Sequence, residues 1–95
     1  MHSHRKISAE EAESIAAGAF SVLVHDEERL SRFFDLTGLR PESVRRAAAT
    51  EGFLAAVLDH VAADEELLLT IAKALSTRPE RIMEARHALS PAAFD

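Results

Sequence analysis

Apolar residues recur every three or four positions along almost the whole chain, which is the spacing of one face of an α-helix. The first run of this kind comprises Ala12, Ile15, Ala16, Ala19, Phe20, Val22 and Leu23. No segment alternates apolar and polar residues as a β-strand does, and no hairpin turn sequence is evident. The sequence therefore predicts an all-α fold.

Helix start and stop signals divide this pattern into six helices. Four runs follow a residue whose side chain can accept a hydrogen bond from a first-turn amide: Ser8, Asp26, Thr50 and Asp64. A proline, Pro41 or Pro79, opens each of the other two, because the first helical turn does not need the amide hydrogen that proline lacks. Gly38 and Ser90-Pro91 are stop signals. Gly18, inside the first helix, indicates close packing against a neighbouring helix.

The chain carries an internal similarity at a period of 38 residues. Residues 26–48 align with 64–86 without a gap, and eight of these 23 pairs are identical, whereas chance would give about two. Apolar positions extend the match to residues 15–48 and 53–86. Duplication is one explanation, and recurrence of the few available cap sequences is the other. In both cases we predict one domain over residues 1–95, a compact six-helix bundle of two similar three-helix units, with residues 1–7 as a mobile tail.

The composition excludes several functional classes. The absence of cysteine among 95 residues rules out disulfide scaffolds, thiol catalysis and cysteine-ligated metal centres. The longest uninterrupted apolar run, residues 53–58, is far too short to span a membrane, and no apolar stretch follows the charged N-terminus. We therefore expect a cytoplasmic protein without membrane contact. The formal net charge of −5 disfavours nonspecific binding to nucleic acids.

No arrangement typical of catalysis or cofactor binding is evident. The sequence has neither a glycine-rich phosphate loop nor a nucleophile elbow. His60 and Asp64 are spaced to share one helical face, but two ligands do not make a metal site, and a solvated face is the better interpretation. The pairs Glu27-Glu28 and Glu65-Glu66 follow aspartate caps, where they stabilise the helix dipole. We expect no enzymatic activity, no cofactor and no metal.

The two units differ at one place that bears on function. Arg29 and Ser31 of the first unit correspond to Leu67 and Leu69 of the second, which widens the apolar arc of that helix to about half its circumference. Such a helix is either buried between the two units or shared with another chain. Our leading hypothesis is a protein-interaction module that contacts an unidentified protein or forms a homodimer through Leu67 and Leu69.

A divergent helix-turn-helix is the alternative hypothesis. Residues 68–87 resemble this nucleic-acid-binding motif, because Ala72 stands where the helices would cross and Ile82 where an apolar anchor is expected. Ser76, however, stands where glycine is preferred in the turn. The first unit has the complementary half of the pattern around Gly38, and its arginines are candidates for phosphate contacts: Arg40, Arg45 and Arg46. We rank nucleic-acid binding below protein binding.

Two stretches carry a family resemblance. Residues 33–41, FFDLTGLRP, and 53–65, FLAAVLDHVAADE, resemble a bacterial family of small all-helical proteins of unknown function, and the likeness extends from Ser8 to Leu89. The resemblance implies a stand-alone all-helical domain. It implies no activity, cofactor or catalytic residue. Arg40 and His60 depart from the acidic and apolar residues expected of relatives at these positions.

Overall fold

The computed structural model describes residues 7–47 and 50–90, which form six α-helices and contain no strand. The helices are α1 (Ala9–Val24), α2 (Glu27–Thr37), α3 (Pro41–Ala47), α4 (Glu51–Ala62), α5 (Glu65–Ala74) and α6 (Pro79–Leu89). The predicted all-α fold is therefore confirmed. The bundle is compact, with a radius of gyration of 13.0 Å.

Side chains cap the helices where the sequence predicts them. The Ser8 hydroxyl accepts the Glu11 amide at 3.0 Å, and the Thr50 hydroxyl accepts the Phe53 amide at 3.2 Å. Asp26 and Asp64 accept the amides of the residues three positions ahead, each at 3.2 Å. These bonds satisfy amides that have no carbonyl partner within their helices. The start signals are therefore confirmed.

The core lies where α1, α4 and α6 pack against one another. The buried side chains are Ala12, Ala16, Ala19, Leu23, Phe33, Phe53, Leu54, Val57, Leu58, Val61, Leu67, Ile71, Ala72, Ile82, Ala85 and Leu89. Three alanines and Leu23 form the buried stripe of α1, and the small size of the alanines lets α6 and α4 approach its backbone closely. Phe33 of α2 joins this core through rings on α1 and α4, at centroid distances of 6.0 Å from Phe20 and 6.1 Å from Phe53.

Gly18 permits a close contact between α1 and the turn that follows α5. A Cβ atom at Gly18 would lie 3.0 Å from the Cδ2 atom of Leu75, closer than side chains normally pack. The prediction that this glycine marks a tight packing contact is confirmed. Ile7, the first residue described and the last of the predicted mobile tail, is partly buried and packs against the core. The rest of that predicted tail lies outside the described residues.

The two repeat units match at their helix junctions. Asp26 and Asp64 cap α2 and α5 with nearly the same backbone angles, φ −133° and ψ 99° against φ −131° and ψ 104°. Gly38 and Ser76, 38 residues apart, both adopt a positive φ, of 75° and 54°. Ser76 adopts the left-handed conformation although serine lacks glycine's freedom to do so.

The third helices of the two units differ in their packing. α6 buries Ile82, Ala85 and Leu89 against α1 and α4. In α3, none of the residues of Pro41–Ala47 is buried, and the helix leans on the core through partly buried Val44 and Ala47. The expected similarity of the two units therefore holds for the caps and turns but not for the third helix. Residue 48, the end of the first repeat copy, lies outside the described residues.

Candidate functional site

The most exposed large apolar side chain of the described residues lies near the end of α2. Leu36 is 70% exposed, and the arginines nearest to it along the chain, Arg32 and Arg40, are also exposed. Arg45 and Arg46 are exposed on α3, which follows Arg40 directly. We call these five residues the α2–α3 surface. It combines an apolar residue with four arginines, of which Arg32 also lines a cleft with carboxylates and Arg40 pairs with Glu42.

The turn between α2 and α3 shapes this surface. Gly38 ends α2 in the left-handed conformation and donates its amide to the Phe34 carbonyl at 2.9 Å. The Thr37 hydroxyl donates to the Phe33 carbonyl at 2.7 Å and accepts the Leu39 amide at 3.2 Å. Leu39 then packs against the core. These bonds hold the turn, so the last turn of α2 and the start of α3 stay adjacent while Leu36 faces away from the core.

The charge of this region is opposite to that of the whole chain. Residues 32–46 contain four arginines and two acidic residues, a formal charge of +2, whereas the chain as a whole carries −5. Arg40 forms an exposed ion pair with Glu42 at 3.1 Å, which weakens its field only in part because both groups are solvated. Arg45 and Arg46 form no ion pair with any of the described residues.

The predicted contact residues of α5 are separated by the fold. Leu67 is only 2% exposed and belongs to the core, because its position in the first turn points it toward the other helices. Leu67 is therefore not accessible on the surface of the single chain, and its contact with a partner stays a prediction. Leu69 is 52% exposed and remains available for a contact. Of the wide apolar arc of α5, Leu67, Ile71 and Ala72 are buried, Leu68 is partly buried, and Leu69 is exposed.

The helix pair α5–α6 offers few free cations for nucleic acid. Arg81 donates to Glu11 at 2.6 Å and to Glu84 at 2.8 Å, and these hydrogen bonds, the Glu11 bond foremost, hold the pKa of its guanidinium above the ordinary value. Arg86 donates to Asp59 at 2.8 Å. Both arginines are thus committed to carboxylates of the same chain. The candidate cations for the alternative hypothesis remain Arg40, Arg45 and Arg46, all of them exposed.

His60 packs against the core rather than pointing to a metal site. Its ring meets Phe33 edge-on, with ring centroids 5.2 Å apart. Burial lowers the pKa of His60 below 6.5 and Arg32 lowers it further, while the Asp64 carboxylate opposes both. Among the described residues, no group of three or more histidine or acidic side chains could hold a metal ion. Among the described residues, His60 and Asp64 therefore have no third side chain beside them that could complete a metal site.

Two surface clefts are the remaining candidates for a functional site. A cleft of about 230 Å³ lies at the start of α2 and α5 and is lined by Asp26, Glu28, Arg29, Arg32, Asp64 and Glu66. A second cleft, of about 500 Å³, lies between α1 and the α5–α6 turn; Gly18, Leu75, Ser76 and Arg81 are among its lining residues. Both are open to solvent, and the first is lined by four carboxylates and two arginines. Neither cleft gathers groups suited to catalysis.

Leu36 was missed as a candidate although the sequence contained a signal for it. In α2 the inward positions Leu30, Phe33 and Thr37 leave Leu36 off the apolar stripe, as the helical period shows. An isolated exposed leucine is common and attracts no attention by itself. Its significance comes from the weak packing of α3 beside it, which the sequence did not show.

The fold and surface define a class: a small all-α bundle with one weakly packed helix and a basic, partly apolar surface beside it. Residues 9–92 match the model of a family described as a protein of unknown function (DUF3572), and the chain belongs to that family. No curated protein and no solved structure matches it. The resemblance to a family of unknown function is thus confirmed. In the described part of the chain, no helix has the length and apolar character needed to cross a membrane.

Proposed function

We propose that this protein is a non-enzymatic cytoplasmic interaction module that binds a protein segment through the α2–α3 surface. The segment would carry acidic side chains around an apolar one. The observation that supports the proposal is the unfinished packing of α3: none of its residues from Pro41 to Ala47 is buried, next to a leucine that is 70% exposed.

The apolar and the charged parts of the surface would contribute differently. Complete burial of a leucine side chain stabilises by about 1.5–3 kcal/mol, so covering Leu36 from its present 70% exposure is worth roughly 1–2 kcal/mol. The exposed arginines add little affinity each, because solvated ion pairs are worth at most about 1 kcal/mol. Their role is to select acidic partners and to speed association.

Nucleic acid is the second candidate occupant of the same surface. Arg40, Arg45 and Arg46 support it, because phosphates attract exposed arginines. Against it, α3 is only seven residues long and is not held firmly enough to act as a recognition helix. An apolar residue as exposed as Leu36 also has no role in contacts to phosphates. A protein segment therefore fits the surface better.

A photo-crosslinking amino acid at position 36 of the full chain tests the proposal in native lysate. We expect a nuclease-resistant adduct with a protein, and mass spectrometry should place the crosslink in an acidic segment that contains apolar residues. The same amino acid at position 83, where Met83 is 38% exposed on α6, is the matched control and should not give this adduct.

The charge-reversal variant Arg45→Glu/Arg46→Glu should reduce the amount of adduct at position 36 by about tenfold or more. A tenfold reduction in affinity corresponds to a loss of about 1.4 kcal/mol in binding free energy. An adduct that disappears with nuclease would favour the nucleic-acid hypothesis instead. An adduct that survives the charge reversal, or that forms equally at position 83, would refute the proposal.

A further inference from the structure

The two most exposed large apolar side chains of the described residues lie on surfaces of opposite charge. Leu36, 70% exposed, belongs to the basic α2–α3 surface. Leu69, 52% exposed, lies on the outer side of α5, one turn after Glu65 and Glu66, which are both exposed. We call Glu65, Glu66 and Leu69 the acidic α5 face. Within one chain, Arg32 and Glu66 line the same cleft, so docking on a second copy would rely on Leu36 and on the arginines of α3 and the turn before it: Arg40, Arg45 and Arg46.

The acidic α5 face has the chemistry that the proposed function requires of a partner. Residues 64–73 contain three acidic residues and one lysine, Lys73, a formal charge of −2. Glu65 and Glu66 follow the Asp64 cap and are held in the first turn of a regular helix. The face is therefore an ordered helical surface with an apolar residue beside carboxylates, and it exists on every copy of the chain.

We propose that the acidic α5 face of one copy docks on the α2–α3 surface of a second copy. This inference rests on the proposed function and names the partner. Leu69 would pack against Leu36, while Glu65 and Glu66 would face the arginines of the other copy. Charge complementarity selects a second copy, because the contact pairs a region of formal charge +2 with one of −2.

The contact joins two different surfaces, so a pair of docked copies still has one free α2–α3 surface and one free acidic α5 face. Such head-to-tail contacts build chains of increasing length rather than a closed dimer, unless the rotation between copies closes a ring. With one leucine on each side, the apolar contact is small, so the association is expected to be weak.

Sedimentation velocity of the full chain from about 10 µM to about 1 mM tests the inference, since this range brackets a weak association. We expect the weight-average sedimentation coefficient to rise with concentration and to continue past the value of a dimer. Raising the salt from about 0.05 M to about 0.5 M should weaken association several-fold, because it screens the charges. A coefficient that stays at the monomer value up to the highest concentration would overturn the inference.

Two substitutions at exposed positions make the test specific. Leu36→Glu places a negative charge on the basic surface, and Leu69→Lys places a positive charge on the acidic face. Each variant alone should remain monomeric, with association weakened by about tenfold or more. A mixture of the two should associate again, because the intact acidic face of the first can dock on the intact basic surface of the second.

The control is Met83→Glu, which introduces a charge at an exposed apolar position outside both surfaces and should associate like the unchanged protein. Association of either single variant, failure of the mixture, or loss of association in the control would each overturn the inference. A monomeric protein that still gives the charge-dependent adduct at position 36 would refute self-docking and leave the proposed function standing. Loss of that adduct as well would refute both.

Discussion

Exchanging the two residues in left-handed turns provides a direct test of how the repeat units end their second helices. Gly38 and Ser76 occupy equivalent positions, and both have positive φ. The Ser76 amide donates to the Lys73 carbonyl at 3.2 Å, and the Thr77 amide donates to the Ala72 carbonyl at 2.9 Å. These two bonds require a left-handed residue at position 76 whatever its side chain.

Ser76→Gly should stabilise the protein. The left-handed conformation costs a residue with a Cβ atom roughly 1–2 kcal/mol, whereas the greater freedom of glycine in the unfolded chain costs roughly 0.5–1 kcal/mol. The net gain is therefore about 0.5–1 kcal/mol. For a domain of this size, that gain raises Tm by about 2–8 °C.

Gly38→Ser is the matched control and should lower the free energy of unfolding by a similar amount. No atom lies within 4 Å of a Cβ atom built at Gly38, so the cost comes from the backbone alone. The doubly exchanged protein should melt within a few degrees of the original, since distant substitutions add. Thermal melts followed by circular dichroism, together with urea unfolding, give both quantities. A loss of stability in Ser76→Gly would refute the reasoning and would show that the serine side chain contributes.

Three further predictions concern the core, the close contact at Gly18 and the histidine on α4. Phe33→Ala should cost about 3–5 kcal/mol in urea unfolding because it empties a fully buried site, whereas Leu36→Ala on the same helix should change stability by less than about 0.5 kcal/mol; equal effects would contradict the assigned burial. Gly52→Ala should raise the free energy of unfolding by about 0.5–1 kcal/mol, and Gly18→Ala should gain less because Leu75 must shift; equal gains would argue against the contact. Since burial lowers the pKa of His60 in the folded state, the unfolded chain binds the proton first, and this histidine's contribution to stability is complete above pH 6.5 and falls as the pH drops below it. His60→Leu should reduce the loss of stability measured by urea unfolding between about pH 7.5 and about pH 5, and an unchanged loss would rule out this cause.

Local chemistry made the helix ends predictable from the sequence. Ser8, Thr50 and Asp64 cap the helices they were expected to cap, because a short side chain that accepts from a first-turn amide needs only its own neighbours. Gly38 ends α2 for the same local reason. The fold class followed from the period of the apolar residues.

The surface depended on contacts between distant parts of the chain and could not be predicted in the same way. Leu67 and Leu69 are two residues apart and belong to the same predicted apolar arc, yet Leu67 lies in the core and Leu69 on the surface. The bond between Arg81 and Glu11 joins residues 70 positions apart, so spacing along the sequence could not predict this contact. The α2–α3 surface could be recognised only from the structure, in which none of the residues of α3 is buried.

Because none of the residues of α3 is buried, this helix should open more often than the central helices do. A helix that contributes no fully buried side chain can open at little cost in free energy while α1, α4 and α6 stay packed. Backbone amides of α3 should therefore exchange with solvent deuterium through local opening, and those of the central helices only through global unfolding. The helix that carries Arg45 and Arg46 of the α2–α3 surface would then be the part that opens without the loss of the core.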